Sequence, residues 1–264
     1  MTKSHPALAD LHGAWRRTLV READGSTDDA TAIWLQGPAL FADLRQPPGL
    51  AGMVGRSHPK DLDRPQLLAL CGQKAFAGTL VPDGDAFSWV RRIDLHPPAP
   101  LPDAGTLRWD GEVLVEEGLH EAYLEHWELI EGSPDGSPAA ALLDDPQEGC
   151  TGVLVRVGSW FGYARDRSLP LRTPLAPLVE QVLGCGERAA AAALLDCEVS
   201  IGRVRADRWE IVRSTLPHRV GVHLEPGLNP AGDRLRIRDT DPQGRSRPRD
   251  WHLSGVRGTV RLLG

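Results

Sequence analysis

The densest set of side chains able to recognise a ligand lies between residues 34 and 45, where Trp34, Gln36, Asp43 and Arg45 follow Trp15, Arg16 and Arg17. A guanidinium facing a cavity orients a carboxylate or another anion, and an indole face gives a flat apolar wall that also attracts cations. Arg45 is the first candidate anchor for an anionic ligand, with an ion pair to Asp43 as its alternative role. Two residues apart, Trp89 and Arg91 fall on one face of an extended segment and offer a second wall and a second positive group. Glu112 and Glu116 share a nominal face around the Asp110-Gly111 turn, and Tyr123, Glu125 and Trp127 align on the next segment. Such carboxylates can bind a cation or shuttle a proton, but only within about 3 Å of the exchanging atom or through a water. His126 points away from Glu125 in a regular strand, which argues against a direct imidazole–carboxylate pair.

Other chemistries find less support. Cys71, Ser88 and Ser159 have neither an adjacent base nor a G-x-S-x-G setting. The four cysteines, Cys71, Cys150, Cys185 and Cys197, form no C-x-x-C pair, and His218 with His223 lacks a partner set, so no metal and no cofactor are expected. Arginines 234, 236, 238, 245, 247 and 249 are interrupted by Asp233, Asp239, Asp241 and Asp250. That mixture reads as a solvated sheet edge, and the net charge of −6 offers no general polyanion surface, so nucleic acid is not an expected partner.

The elements that must position these residues are short strands with tight turns. TAIWLQG and ALFADLR read as an antiparallel pair joined at Gly37-Pro38, and QLLALCGQKAF as a short helix after Pro65. FAGTLV and AFSWVRRIDL pair around Gly84, TLRWD and EVLVEEG around Asp110-Gly111, and AYLEHWELI follows. The stretch 136–149 reads as a linker between a first β unit, 10–135, and a second, 150–264. In the second unit EVSIGRVR, WEIVRSTL, RVGVHLE, RLRIRD and WHLSGVRGTVRLL read as strands, with PRDW joining the last two. A helical patch runs on from Pro174, divided near Gly184 and Gly186.

The units repeat. A displacement of 120 residues lays Thr151, Phe161 and Arg165 on Thr31, Phe41 and Arg45, and Trp209 on Trp89; Trp251 matches Trp127 at 124. Leu154 stands opposite Trp34 and Tyr163 opposite Asp43, so the copies need not recognise the same molecule. With its order of strands, the helix after the first pair, and the stretches WVRRIDLHPP, DAGTLRWDGEVLVEEG and YLEHW, the chain resembles duplicated lipocalin-like (calycin-type) β-barrel proteins. These include uncharacterised bacterial members and a yeast protein named for interacting with a kinase. The resemblance implies a mainly β fold: two related antiparallel barrels, or one extended duplicated barrel assembly, with short helices. It carries no catalytic residues.

A barrel can enclose a cavity or be filled by its own side chains. The leading expectation is binding of a small apolar or aromatic molecule, with or without an anionic group, in the first barrel. Its residues would be Trp34, Gln36, Asp43, Arg45, Trp89, Arg91, Glu112, Glu116, Glu125 and Trp127. The alternatives are an isomerase, cyclase or lyase using a carboxylate and an arginine, and a non-enzymatic scaffold for a protein partner or a second copy. MTKSHPALADLHGAWRRTL has no sustained apolar core, and no stretch approaches the roughly 20 apolar residues of a membrane span, so a cytoplasmic protein without a membrane partner is expected.

Overall fold

The computed structural model describes residues 5–258, apart from 134–135, 174, 207 and 242. Its first half is a closed barrel of eight antiparallel strands: β1 (Gly13–Glu22), β2 (Thr31–Gln36), β3 (Leu40–Gln46), β4 (Lys74–Asp83), β5 (Ala86–Asp94), β6 (Ala104–Asp110), β7 (Val113–Gly118) and β8 (Tyr123–Leu129). The second half is a curled eight-stranded sheet made of β9 (Ala139–Asp145), β10 (Cys150–Val157), β11 (Trp160–Arg165), β12 (Glu198–Arg205), β13 (Arg208–Ser214), β14 (Gly227–Leu228), β15 (Arg234–Thr240) and β16 (Ser246–Gly258). Its order, β13-β12-β11-β10-β9-β16-β15-β14, is the order of the first barrel with eight added to each strand number.

The copies differ at one seam. In the first, Ala86–Ser88 of β5 pair with Ala104–Thr106 of β6 and close the barrel. In the second, β13 and β14 are not neighbours, and Val222–Leu224 fill the gap: the Leu224 amide donates to the Trp209 carbonyl at 2.9 Å, and the Leu224 carbonyl accepts from the Arg238 amide at 3.2 Å. The stretch RVGVHLE, expected as a strand, supplies only the Glu210–His223 bridge. A 3-10 turn at Pro217–Arg219 and the positive φ of Gly221 prevent continuous pairing.

Two further expectations are corrected. Linker 136–149 carries β9, whose AAALLDD lacks alternation because both its faces are largely covered. PRDW lies inside β16, where Pro248 pairs with Arg238 and Trp251 with Leu235.

Two short helices follow the third strand of each copy: α1 (Leu50–Val54) and α2 (Arg64–Leu70) after β3, and α3 (Leu178–Leu183) and α4 (Arg188–Leu194) after β11. Asp63 caps α2 by accepting from the Gln66 backbone amide, while the Gln66 side-chain Oε1 accepts from the Asp63 backbone amide. Among the described residues no helix is long and apolar enough to cross a membrane.

Three apolar layers hold the molecule together. Alternation along β2 and β3 turns Ala32, Trp34 and Phe41 into the barrel and Ile33, Leu35, Ala42 and Leu44 out of it. The outward set packs on Val153, Val155, Ala164, Val199 and Ile201 of the second copy, with the helices closing the rim. At the centre of this contact Ala42 meets Gly162, and a methyl on Gly162 would stand 2.9 Å from the Ala42 Cβ. These two positions are themselves 120 apart, so a pseudo-twofold axis passes between a residue and its own repeat, as at an isologous dimer interface.

Candidate functional site

The first barrel is filled where an open chamber was expected. Trp15, Trp34, Trp89 and Trp127 join Phe41, Phe76, Phe87, Leu107 and Leu114 in one buried cluster. Trp34 stacks on Trp15 with centroids 6.0 Å apart and meets Trp127 edge-on at 5.8 Å, so it is a centrepiece of the packing and not a cavity wall. Gln36 sits by the β2–β3 turn, where its amide donates to the carbonyls of Gly37 and Leu40. Glu112 is exposed on the β6–β7 turn and does not line the cavity at the barrel mouth.

Above the aromatic layer, the inward faces become charged. Arg45 on β3 donates to Asp43 Oδ1 at 3.1 Å and to Glu125 Oε1 at 2.7 Å, while Arg17 on β1 reaches the same Glu125 oxygen at 2.7 Å and Asp28 at 3.0 Å. Glu116, paired across β7–β8 with Glu125, accepts from the Tyr123 hydroxyl at 2.8 Å and from the Trp127 Nε1 at 3.0 Å. Arg91 lies over the Phe76 ring at 3.7 Å and bridges Asp94 and Asp103. Thus Asp43, Arg45, Arg91, Glu116, Glu125 and Trp127 converge, whereas Trp34, Gln36 and Glu112 stand elsewhere. Trp89 is buried beside Arg91 and also lines a neighbouring trough.

The electrostatics follow from burial. Burial pushes the Asp43 carboxyl above its usual range despite the pull of Arg45. Glu116 is pushed up to about 8, first by burial and then by repulsion from Glu125; the two hydrogen bonds it accepts do not offset these. Burial opposes charge on Arg45, yet Asp43 and Glu125 hold it firmly protonated. The Tyr123 phenol is driven upward by burial and by Glu116.

A cavity of about 290 Å³ opens over this cluster, lined by Arg45, Phe76, Arg91, Tyr123 and Glu125, with Glu22, Lys74 and Glu121 at its rim. Across the Arg91–Asp103 bridge lies a trough of about 730 Å³ between the two copies, lined by Trp89, Arg91, Leu101, Arg167 and Leu171. Tyr123 and Arg17 were legible as neighbours of the chosen residues. Phe76 carried no signal beyond its strand, and Asp103, in the loop before β6, carried none. Among the described residues no group of three or more His, Cys, Asp or Glu side chains could hold a metal ion.

The second copy builds the equivalent place differently. Arg165, the counterpart of Arg45, is 1% exposed, bonded to Asp196 at 2.9 Å and beside Asp239 at 3.2 Å. Arg219 and Arg249 add to the network through Glu198, Asp239 and Asp145. Arg165, Arg219 and Arg249 thus meet Asp145, Asp196, Glu198 and Asp239 in one buried network, in which Asp196, just after α4, holds Arg165.

Over most of its length the chain is similar in fold to the crystal structure of an uncharacterized protein, YLR301w, from Saccharomyces cerevisiae. The TM-score is 0.55 at 10% identity, covering 94% of this chain and 99% of that one. The likeness spans both halves, so the duplicated lipocalin-like barrel architecture is common to the two. A DnaN sliding clamp from Pseudomonas aeruginosa, bound to griselimycin, aligns with a TM-score of 0.13 at 7% identity over 97% of this chain and 81% of that chain, too low to support an argument. No protein-family model matches the sequence, and no curated protein does.

Proposed function

We propose that the protein binds a small molecule at the mouth of its first barrel, with an aromatic or apolar part of the ligand resting on Tyr123 beside the Phe76 ring that Arg91 covers, above the filled core. The observation that carries this reading is the 290 Å³ cavity directly over a buried, charged cluster in one copy, where the corresponding Arg165 of the other copy is 1% exposed and bonded to Asp196. Concave sites with a few fixed polar groups above an apolar floor are the usual form of a small-molecule site. An anionic group on the ligand is not required, since Arg45 and Arg91 each already face two carboxylates.

Binding is favoured over proton-transfer catalysis by the position of Glu116. It has the raised pKa of an acid–base group, but it is 3% exposed and both its oxygens are held, by Tyr123 and Trp127. Native mass spectrometry of protein isolated without ligand removal tests the reading directly. A stoichiometric small molecule, lost when Phe76 and Tyr123 are both replaced by Ala in a still-folded protein, is the expected result. A bare mass, with no small molecule altering tryptophan emission on titration, would count against it.

A further inference from the structure

We propose that the mouth of the first barrel takes an organic cation, an amine or guanidinium on a small aromatic or apolar body, with Glu125 as its counter-ion. This rests on the small-molecule reading and narrows it to one charge class.

Each arginine at the mouth is already shared between two carboxylates: Arg45 between Asp43 and Glu125, Arg17 between Asp28 and Glu125, Arg91 between Asp94 and Asp103. Lys74 is the other fixed cation of the lining, His96 also lines it with its Nε2 held against the Gln73 carbonyl, and Glu22 and Glu121 share the rim. Negative groups are therefore in excess, even with Glu116 left out of account. An incoming anion would find satisfied guanidiniums and uncompensated carboxylates.

One buried atom points the same way. Glu125 lines the cavity with its side chain only 3% exposed, and its Oε2 has no hydrogen-bond partner while Oε1 takes both arginines. A buried acceptor without a donor is costly, and an ammonium or guanidinium N–H supplies both the missing donor and the missing charge. Among the described residues none make a three-ligand metal site, and Tyr123 offers aromatic surface in the lining, so the fitting cation is organic.

The proton on Glu116 gives a second readout. Glu116 faces Glu125, Arg45, Tyr123, Trp127 and Asp103, and repulsion from Glu125 contributes to keeping it protonated. A positive charge lodged beside Glu125 relieves that repulsion, so cation binding releases a proton and tightens as the pH rises toward 8.

The experiment is isothermal titration calorimetry of the whole protein with three shape-matched probes: phenethylamine, phenethyl alcohol and 3-phenylpropionate. The amine is expected to bind at least about ten-fold more tightly than the alcohol, and the carboxylate more weakly than either. Repeating the amine titration in buffers of different ionisation enthalpy should show proton release, absent in Glu116→Gln. Glu125→Gln should cost the amine about ten-fold and leave the alcohol within about two-fold. Because Glu125 also holds Arg17 and Arg45, the wild-type rank order decides the matter if that variant fails to fold. An alcohol or carboxylate that binds as tightly as the amine overturns the proposal and leaves the small-molecule reading standing. If no probe binds and no molecule copurifies, both fall. If a molecule copurifies instead, its charge decides, and an anion overturns the proposal.

Discussion

Replacing Glu116 by Gln should make the protein more stable at alkaline pH, and the size of the gain follows from the buried carboxyl. Glu116 holds its proton up to about 8 in the folded protein, whereas an exposed glutamate releases it near 4.5. Between those values the folded chain binds one more proton than the unfolded chain, so the wild type loses stability as the pH rises, by about 1.4 kcal/mol per unit. From pH 5 to pH 8 the loss amounts to about 3 kcal/mol, a large part of the net stability of an ordinary domain. Glutamine fits the same place: its Oε1 accepts from Trp127 Nε1 and its amide donates to the Tyr123 hydroxyl, the groups that bond Glu116 now. It does not titrate and does not repel Glu125. Urea unfolding of both proteins at pH 5, 6.5 and 8, at one ionic strength, should show the variant's advantage widening by about 3 kcal/mol over the range. Parallel pH profiles, or an advantage that shrinks as the pH rises, would refute the assignment of a proton to this site.

Three other outcomes are expected. The His218 ring lies tilted against His58 with centroids 4.2 Å apart, neither of its ring nitrogens has a partner, and burial, then His58, holds its pKa down to about 3. The unfolded chain therefore binds the extra proton below about pH 6.5, and acidification from pH 7 to 5 should cost the wild type about 2 kcal/mol more than His218→Phe, measured by urea unfolding. Arg165→Met leaves Asp196, Glu198 and Asp239 short of a buried partner and should cost about 3–5 kcal/mol, seen as a lowered unfolding midpoint. Gly162→Ala should cost about 1–3 kcal/mol by crowding Ala42, and Ala42→Gly in the same chain should return much of it, a coupling that a double-mutant cycle measures.

How much of this was legible in the sequence depended on whether the signal was local. Asp110-Gly111 marks its hairpin because Gly111 takes the positive φ the turn demands, and the 120-residue displacement holds because the strands of both copies lie in the same order. β1 and β9, the first strand of each copy, carried no clear signal: one mixes exposed and buried residues irregularly across a register shift after Arg17, and the other is covered on both sides. The site was half legible. Two-residue spacing placed Tyr123, Glu125 and Trp127 on one face. The pairing of Arg17 with Glu125, separated by 108 residues, exists only because β1 closes on β8. Whether Trp34 lines a chamber or fills it depends on the bulk of Trp15, Trp89 and Trp127 arriving from other strands, which spacing along one strand does not encode.

The meeting of Ala42 with Gly162 has a consequence for how such a molecule can change over generations. In a dimer of identical chains every substitution appears twice, so a mutation that suits one binding mouth is imposed on the other and on both sides of the shared contact. Joining the copies in one chain removes that constraint. Ala42 and Gly162, equivalent positions, have different side chains where two equal methyl groups would crowd each other. Asp43 and Tyr163 have likewise diverged, leaving one mouth open and acidic while the other is locked by Arg165. The sealed copy then serves as a permanently attached support, and the open copy is free to vary its rim without loss of the partner it folds against.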